Sequence, residues 1–432
     1  MLSRLNVRFP EGTGFDFCIK KINMSHLAFR LTLLFFVFSG ALLAQEELSL
    51  SQAIENGLRN NYQIQIAAVN TQIAQNNNNW GTAGRYPSVN FSVTLPNSLT
   101  DQSNPASFFP ELTTSGTGLT PALDAQWVLF DGFRVRLTKK QLEHLEALSE
   151  GSAKIAVENT IESVMLAYYA ALIQQEQLEV LKELLDLSRD RADFEATKKA
   201  FGQSGTFERL QAQDAYLSDS TNYLLQKENL GRAFRNLNFA MGLKDLNRSY
   251  VLTDRLQFDA PTYELADLRA KMMAGNRALL NLKLNRSLAG VQTQLQKSQN
   301  YPRIALGAGT SYGLNRSRIN ATTREGFQFD TTTTIKNLNG FLNVTATYNI
   351  FDGGVRKRQI ENARLNETIL DLSLEELQQT LNMQLENALS AYQTQRQLVL
   401  LAQNQLQNAE ENIRLAQERL KGGLISSFDY RT

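Results

Sequence analysis

The chain has 432 residues, only 8 prolines and a formal net charge of +1, so a polyanionic partner such as nucleic acid is not indicated. Its one cysteine, Cys18, excludes an internal disulfide and a thiolate metal cluster. The two histidines, His26 and His144, lie far apart in sequence, and we interpret His144 as a solvated surface residue rather than a ligand or a general base.

Residues 1–44 are predicted to be an N-terminal extension and a signal peptide. Arg30 precedes an apolar run over 31–44, which is too short for a comfortable membrane span. Met24 stands just ahead of this run as the candidate true start, and cleavage is predicted after Ala44. A retained N-terminal anchor is the alternative. A mature chain without cysteine suits export to an oxidising compartment.

The first repeat, residues 45–242, is predicted to hold a helix up to about Gly84, two strands and two further helices. Alternating apolar and polar residues predict strands over 87–95 and 122–130, joined by a polar loop over 97–120. Helical periodicity predicts a helix of about 100 Å over 134–200. A turn and a helix over 207–241 follow, and an irregular connector covers 243–262.

The second repeat, residues 263–432, shows the same order. A helix to about Asn300 precedes strands over 304–312 and 341–350, which are joined by a polar loop over 313–339, and a long helix covers 355–420. The sequence then stops four residues after Phe428, so the second repeat is expected to be truncated after its turn at 421–428 and to lack a final helix. We expect the resulting unpaired apolar seam, which includes Leu406, Ile413 and Leu420, to weaken assembly.

Two short motifs mark the duplication. Tyr86-Pro87 at the start of one strand recurs as Tyr301-Pro302, and Phe130-Asp131-Gly132 at a strand-to-helix corner recurs as Phe351-Asp352-Gly353. The distance from Phe130 to Phe207 is 207 − 130 = 77 positions, and Phe351 to Phe428 is 428 − 351 = 77. We interpret each aspartate as a helix cap and each glycine as the residue that permits the change of direction, rather than as catalytic groups.

The predicted strands have the length that a tilted strand needs to cross a bilayer, and each has one apolar face. Four strands cannot close a barrel, and open edges are not tolerated in lipid. Several copies must therefore combine their strands. Three copies would supply twelve, whereas two would close at eight with almost no lumen.

The chain resembles the TolC-like outer-membrane efflux proteins over about residues 45–432. The similarity rests on the signal peptide, on the duplicated helix–hairpin–helix unit and on the order and spacing of the motifs. These include Arg85-Tyr86-Pro87-Ser88, Trp127-Val128-Leu129-Phe130-Asp131-Gly132, Asn349-Ile350-Phe351-Asp352-Gly353-Gly354 and the turn Lys421-Gly422-Gly423-Leu424-Ile425-Ser426-Ser427-Phe428-Asp429.

This resemblance implies a mostly α fold with β-strands: a homotrimer with a twelve-strand barrel in the outer membrane and a twelve-helix tube, an α-barrel, through the periplasm. It implies a passive duct of a tripartite efflux or type I secretion system, joined through a periplasmic adaptor protein to an inner-membrane pump. The adaptor would meet two turns, of which the first departs from the family pattern. The docking candidates are Gly202, Gly205, Phe207, Gly422, Gly423, Leu424, Ser426 and Phe428.

An acidic ring near the tube entrance, which some family members carry, is not predicted, because Arg414 and Gln417 stand at the closest positions beside Glu411 and Glu418. No catalytic constellation, cofactor site or metal site is predicted, so we expect no enzyme activity. The alternative is a periplasmic or surface coiled-coil structural protein without channel activity, which would explain the long helices but not the alternating strands.

Overall fold

The computed structural model describes residues 46–256, 261–422 and 424–425. The predicted signal peptide and three docking candidates, Gly423, Ser426 and Phe428, lie outside the described residues. The chain forms two compact units. The first unit takes residues 46–49, 174–234 and 247–254 of the described chain, and the second takes the rest.

Most of the described chain is helical, as expected from the long proline-free segments. The helices within it are α1 (Leu50–Asn60), α2 (Tyr62–Asn77), α3 (Arg134–Ala200), α4 (Thr206–Ala240), α5 (Leu265–Gly275), α6 (Arg277–Ser298) and α7 (Val355–Lys421). Helices α3 and α7 have 67 residues each, which corresponds to about 100 Å at about 1.5 Å per residue.

The first helix of each repeat was predicted to be continuous, and this is wrong. Asn61 separates α1 from α2, and Asn276 separates α5 from α6, with extended backbone at both residues. The side-chain oxygen of Asn61 accepts a hydrogen bond from the N–H of Gln63 at 2.8 Å, and that of Asn276 accepts one from Leu279 at 2.9 Å. Each asparagine therefore caps a new helix at an equivalent place in its repeat.

The strands of the described chain form one large antiparallel sheet and one short parallel pair. They are β1 (Glu46–Leu48), β2 (Ser88–Thr94), β3 (Asn97–Ser103), β4 (Glu111–Phe130), β5 (Tyr250–Leu252), β6 (Arg303–Thr322) and β7 (Gln328–Thr347). The large sheet has the order β2-β4-β6-β7, and β3 continues the line of β2 along β4. The pair of β1 with β5 was not predicted from the sequence.

The polar loops predicted over 97–120 and 313–339 are also wrong, because most of those residues belong to strands. β4, β6 and β7 each have 20 residues, and β7 ends at Thr347 rather than at Ile350. The added segments carry polar residues on both faces, so they show no alternation. Their threonines favour extended backbone, and pairing with neighbouring strands satisfies the backbone polar groups.

The register places most of the apolar residues of the four strand lines on one face of the sheet, although Phe341 lies on the other face, opposite Gly309. One row contains Val89, Ala125, Ala308 and Leu342, and the next contains Phe91, Leu123, Thr310 and Gly340. The opposite face carries mainly polar and small side chains, as in the row of Ser92, Ala122, Ser311 and Asn339. Within the described residues, β7 at one edge and the line of β2 and β3 at the other have no further strand beside them.

The second unit also has a helical core. Tyr168 and Leu172 of α3 are fully buried, as are Leu237 of α4 and Leu279 of α6. In the first unit, the Gln175 side chain accepts a hydrogen bond from the N–H of Leu252 at 3.1 Å and donates one to its carbonyl at 3.3 Å. A helix residue thereby satisfies the free edge of the short strand β5.

Candidate functional site

The corner between β7 and α7 is organised around Asp352. Its carboxylate accepts hydrogen bonds from the N–H of Gly354 at 3.0 Å and of Arg356 at 3.1 Å, and it pairs with Nε of Arg356 at 2.8 Å. The same guanidinium donates to the carbonyls of Gln299 at 3.1 Å and Asn349 at 2.8 Å. Burial acts to raise the pKa of Asp352, but the hydrogen bonds from Arg356 and Gly354 outweigh it and hold this pKa below its usual range.

The equivalent corner between β4 and α3 lacks this ion pair. Asp131 accepts one weak hydrogen bond, from the N–H of Val135 at 3.4 Å, because valine stands where the second repeat has Arg356. The corner is held instead by Phe133, whose ring lies edge-on to Phe130 at 5.5 Å and to Tyr301 at 6.3 Å between centroids. Phe133 has a φ of 67°, in the left-handed region that non-glycine residues rarely adopt.

The glycines of both corners adopt the backbone conformation that the turn requires. Gly132 has φ 69°, and Gly353 has φ 65°. A β-carbon on Gly132 would lie 2.4 Å from the Ser298 carbonyl oxygen, whereas one on Gly353 would meet nothing within 4 Å. Gly132 is therefore required both by its backbone angle and by close packing, and Gly353 by its angle alone.

The two corners face one cavity of about 630 Å³ in the second unit, which is lined by Asp131, Asp352, Arg356 and Tyr301 among others. Tyr86 does not line it and is 63% exposed. Near the start of the first hairpin, the indole N–H of Trp127 donates to the carbonyl of Arg85 at 2.8 Å. The corner residues and Trp127 therefore brace the junction between strands and helices, whereas Tyr86 makes no such contact in the described structure.

The first turn lies in the first unit and ends α3. The N–H of Gly202 bonds to the carbonyl of Lys199 at 3.0 Å, and that of Gln203 bonds to Lys198 at 2.9 Å. With Gly202 at φ 74°, this is a Schellman cap. Ser204 also donates to the buried Glu195 at 2.8 Å. Phe207 remains 72% exposed just after the turn.

The second turn lies in the second unit and ends α7. The N–H of Gly422 bonds to the carbonyl of Glu418 at 3.0 Å, and that of Leu424 bonds to Arg419 at 2.9 Å. Leu424 is 77% exposed. Within the described residues, each turn thus pairs a closed backbone with an exposed apolar side chain.

The acidic residues before the second turn are bonded within their own helix. Arg414 donates to both oxygens of Glu411, at 2.9 and 2.5 Å, and to Glu418 at 3.2 Å. Hydrogen bonding by Arg414 holds the pKa of Glu411 below its usual range. The arginine thus offsets the negative charge at this end of α7.

Sequence reasoning missed Arg356 and the capping asparagines. The ion pair of Arg356 could have been predicted, because an aspartate and an arginine four residues apart face each other on a helix. Among the residues with described positions, no group of three or more His, Cys, Asp or Glu could hold a metal ion. None of the described helices combines the length and the apolar character that crossing a membrane requires.

The sequence pattern of one known family, described as "Outer membrane efflux protein", matches residues 53–243 and 268–432. The structure is similar to the CmeC outer membrane channel of Campylobacter jejuni, with a TM-score of 0.67, 18% identity and coverage of 88% of this chain and 78% of that one. It is also similar to the outer membrane protein VceC of Vibrio cholerae, with a TM-score of 0.64, 17% identity and 88% coverage of both chains. The MtrE outer membrane channel of Neisseria gonorrhoeae aligns with a TM-score of 0.59, 17% identity and coverage of 88% and 81%. No curated protein sequence matches the chain.

Proposed function

Because the chain belongs to the outer membrane efflux protein family, we propose that it is the outer-membrane channel-tunnel of a tripartite efflux or type I secretion system. It acts as a passive export duct of the cell outer membrane that extends into the periplasm. The proposal assigns no catalytic step to the chain, and transport energy comes from a pump in the inner membrane. The structural coiled-coil alternative gives no role to the apolar face of the sheet.

The observation that carries the proposal is the height of this apolar face. On β6 the outward positions run from Ile304 to Leu314, ten residue steps, and their cross-strand neighbours continue the same face. At about 3.4 Å per residue and a tilt of about 45°, ten steps span about 24 Å. This matches the apolar band of about 25 Å that lipid-facing barrels carry.

The open edges determine how the duct closes. β7 presents 20 residues along an unpaired edge of the described chain, and such an edge cannot stand in lipid. Counting β2 and β3 as one line, each copy supplies four strand lines, so three copies form a twelve-strand barrel. The exposed apolar residues Leu398, Leu406 and Ile413 on α7 are then available to helices of neighbouring copies.

Cysteine cross-linking in the native membrane tests this closure, on a background in which Cys18 is replaced by serine. Ser92→Cys on β2 is combined with Asn337→Cys, Asn339→Cys or Asn343→Cys on β7. Within one copy β2 and β7 are three strand spacings apart, about 14 Å, which is too far for a disulfide. We expect at least one pair to give covalent dimers and trimers and nothing larger.

The control combines Ser92→Cys with Ser311→Cys, which lies in the same row on the inner strand β6 and should not cross-link. If no β2–β7 cysteine pair gives a series of covalent oligomers that ends at the trimer, closure by three copies is wrong. Bilayer conductance of the purified, uncross-linked protein then separates a channel from a structural protein. A preparation that never conducts would contradict the proposed duct.

The partners are a periplasmic adaptor and, through it, an inner-membrane pump. We propose that the adaptor docks on the two turns, where Phe207 and Leu424 are exposed, and that Gly202, Gly205 and Gly422 shape the backbone of these turns. Gly423, Ser426 and Phe428 stay docking candidates on the sequence alone. Leu424→Ser should reduce retention of the adaptor at least about tenfold, whereas Leu424→Met, which keeps the apolar surface, should retain it. Equal retention by the two variants would contradict docking at the second turn.

A further inference from the structure

We propose that the outer face of the sheet binds a phosphorylated lipid headgroup through Arg316 and Lys336, directly above its apolar band. This inference rests on the proposed function, which places the apolar face in lipid. The bound group is a phosphate monoester of a membrane lipid. The site is formed within one copy of the chain and does not depend on a partner copy.

The register fixes both cations on the lipid-facing side. Lys336 pairs with Leu314 across β6 and β7, and Leu314 in turn pairs with Leu119. Arg316 occupies the next outward position on β6, opposite Thr334. The row below is apolar, since Tyr312 pairs with Leu338 there. The two cations therefore stand at the boundary where apolar side chains give way to polar ones.

Both side chains are exposed, and within the described ranges neither forms an ion pair or a side-chain hydrogen bond. The third cation on this face behaves differently. Arg318 makes a bidentate pair with Asp330, with distances of 3.0 and 2.6 Å. Its charge is therefore already balanced, which leaves Arg316 and Lys336 to attract an external anion.

Spacing and chemistry favour a phosphate over a single carboxylate. Arg316 and Lys336 are diagonal neighbours on adjacent strands, about 7 Å apart at their backbones, so two long side chains can converge on one group. An arginine offers a planar fork of donors and a lysine a mobile ammonium, and together they match a dianionic tetrahedral group. A lipid is the source that fits, because the rows immediately below accept acyl chains.

The parts of β6 and β7 beyond the apolar rows form a polar surface next to this site. Beyond Arg316 the sheet continues to Thr322 on β6 and back from Gln328 on β7, well above the apolar rows. A lipid whose large headgroup stands up from the membrane would lie along this polar surface. The phosphates at the base of such a headgroup would then be level with Arg316 and Lys336.

Native mass spectrometry of the full chain in detergent tests the proposal, with lipid A as the probe, a glucosamine disaccharide that carries two phosphates and acyl chains. Lipid A with both phosphates removed serves as the matched ligand, and inorganic phosphate is the competitor. The variants are the double substitution Arg316→Gln with Lys336→Gln, its charge-preserving counterpart Arg316→Lys with Lys336→Arg, and Arg303→Gln, a charge loss on the opposite face of β6.

We expect the wild-type chain to prefer lipid A over its dephosphorylated form and the double glutamine variant to bind it about 10- to 30-fold more weakly. The charge-preserving variant and Arg303→Gln should bind like the wild type, and millimolar inorganic phosphate should not displace the lipid. Equal binding of the two lipids, or an equal loss with Arg303→Gln, would overturn the site. Displacement by free phosphate would overturn the assignment to a lipid. The cross-linking ladder and the conductance are measured separately, so failure of the duct and failure of this site are distinguishable.

Discussion

The two corner glycines allow backbone strain to be separated from steric packing. Gly132→Ala and Gly353→Ala place the same methyl group at equivalent positions of the two repeats, with φ of 69° and 65°. Both substitutions incur the strain of a left-handed alanine, about 1–2 kcal/mol. Only the first directs its β-carbon to within 2.4 Å of the Ser298 carbonyl oxygen and 2.8 Å of the Tyr301 β-carbon.

The Ser298 carbonyl belongs to the backbone at the end of α6, so it cannot rotate away as a flexible side chain would. Overpacking of this kind typically costs about 1–3 kcal/mol. We therefore expect Gly132→Ala to lower the free energy of unfolding by about 2–5 kcal/mol and Gly353→Ala by about 1–2 kcal/mol. The difference between the variants isolates the steric part.

Guanidinium-induced unfolding in detergent, followed by far-ultraviolet circular dichroism, measures both losses. The denaturant dependence must be the same for the two variants, because a changed slope would report a change in the denatured state rather than in stability. If the two substitutions cost the same, the close approach of Gly132 to α6 does not determine stability, and the reasoning about this corner is wrong.

Three further substitutions test other parts of the structure. Asp352→Asn should destabilise the chain at pH 7. Because the folded pKa of Asp352 is lowered, the extra stability of the wild type is present above about pH 4, the ordinary carboxyl pKa, and is lost as the pH falls through the folded value. An equal difference in unfolding free energy between the two proteins at pH 7 and at pH 2 would contradict the pairing. Asn276→Ala should cost about 1 kcal/mol of unfolding free energy through loss of the helix cap, and a cost near zero in denaturant titration would contradict that role. In vesicles with brominated acyl chains, fluorescence of Trp127 in a Trp80→Phe variant should be quenched more than that of Trp80 in a Trp127→Phe variant, and equal quenching would contradict the assignment of the lipid face.

Much of the architecture could be predicted because its signals are local or periodic. The range 134–200 for the first long helix follows from apolar spacing and the absence of proline, and α3 covers that range. The fold class and the family are confirmed by the structural similarities and the family match. The division into repeats and the docking role of the turns stay predictions.

The strand ends could not be predicted, for a physical reason. Alternation of apolar and polar residues along a strand arises where one face of the sheet contacts lipid and the other contacts water. It disappears where both faces contact water. In the row of Thr117, Arg316 and Thr334, polar residues occupy the face that is apolar further down. The predicted strand over 304–312 therefore corresponds closely to the apolar band, whereas β6 continues to Thr322.

The two corners show why the repeats keep their spacing although their interactions differ. A strand that turns into a long helix needs left-handed backbone at the same positions whatever side chains surround it, and both copies provide it, with Gly132 and Phe133 in one and Gly353 and Gly354 in the other. The first copy holds this geometry by ring packing of Phe133, the second by the ion pair of Asp352. Backbone geometry is thus the shared requirement, and either set of side chains meets it. It follows that acid should loosen the second corner and leave the ring packing of the first unaffected. Hydrogen exchange of the first turns of α3 and α7 at pH 7 and pH 2 can measure this contrast. Equal loss of protection in both helices would contradict this division of roles.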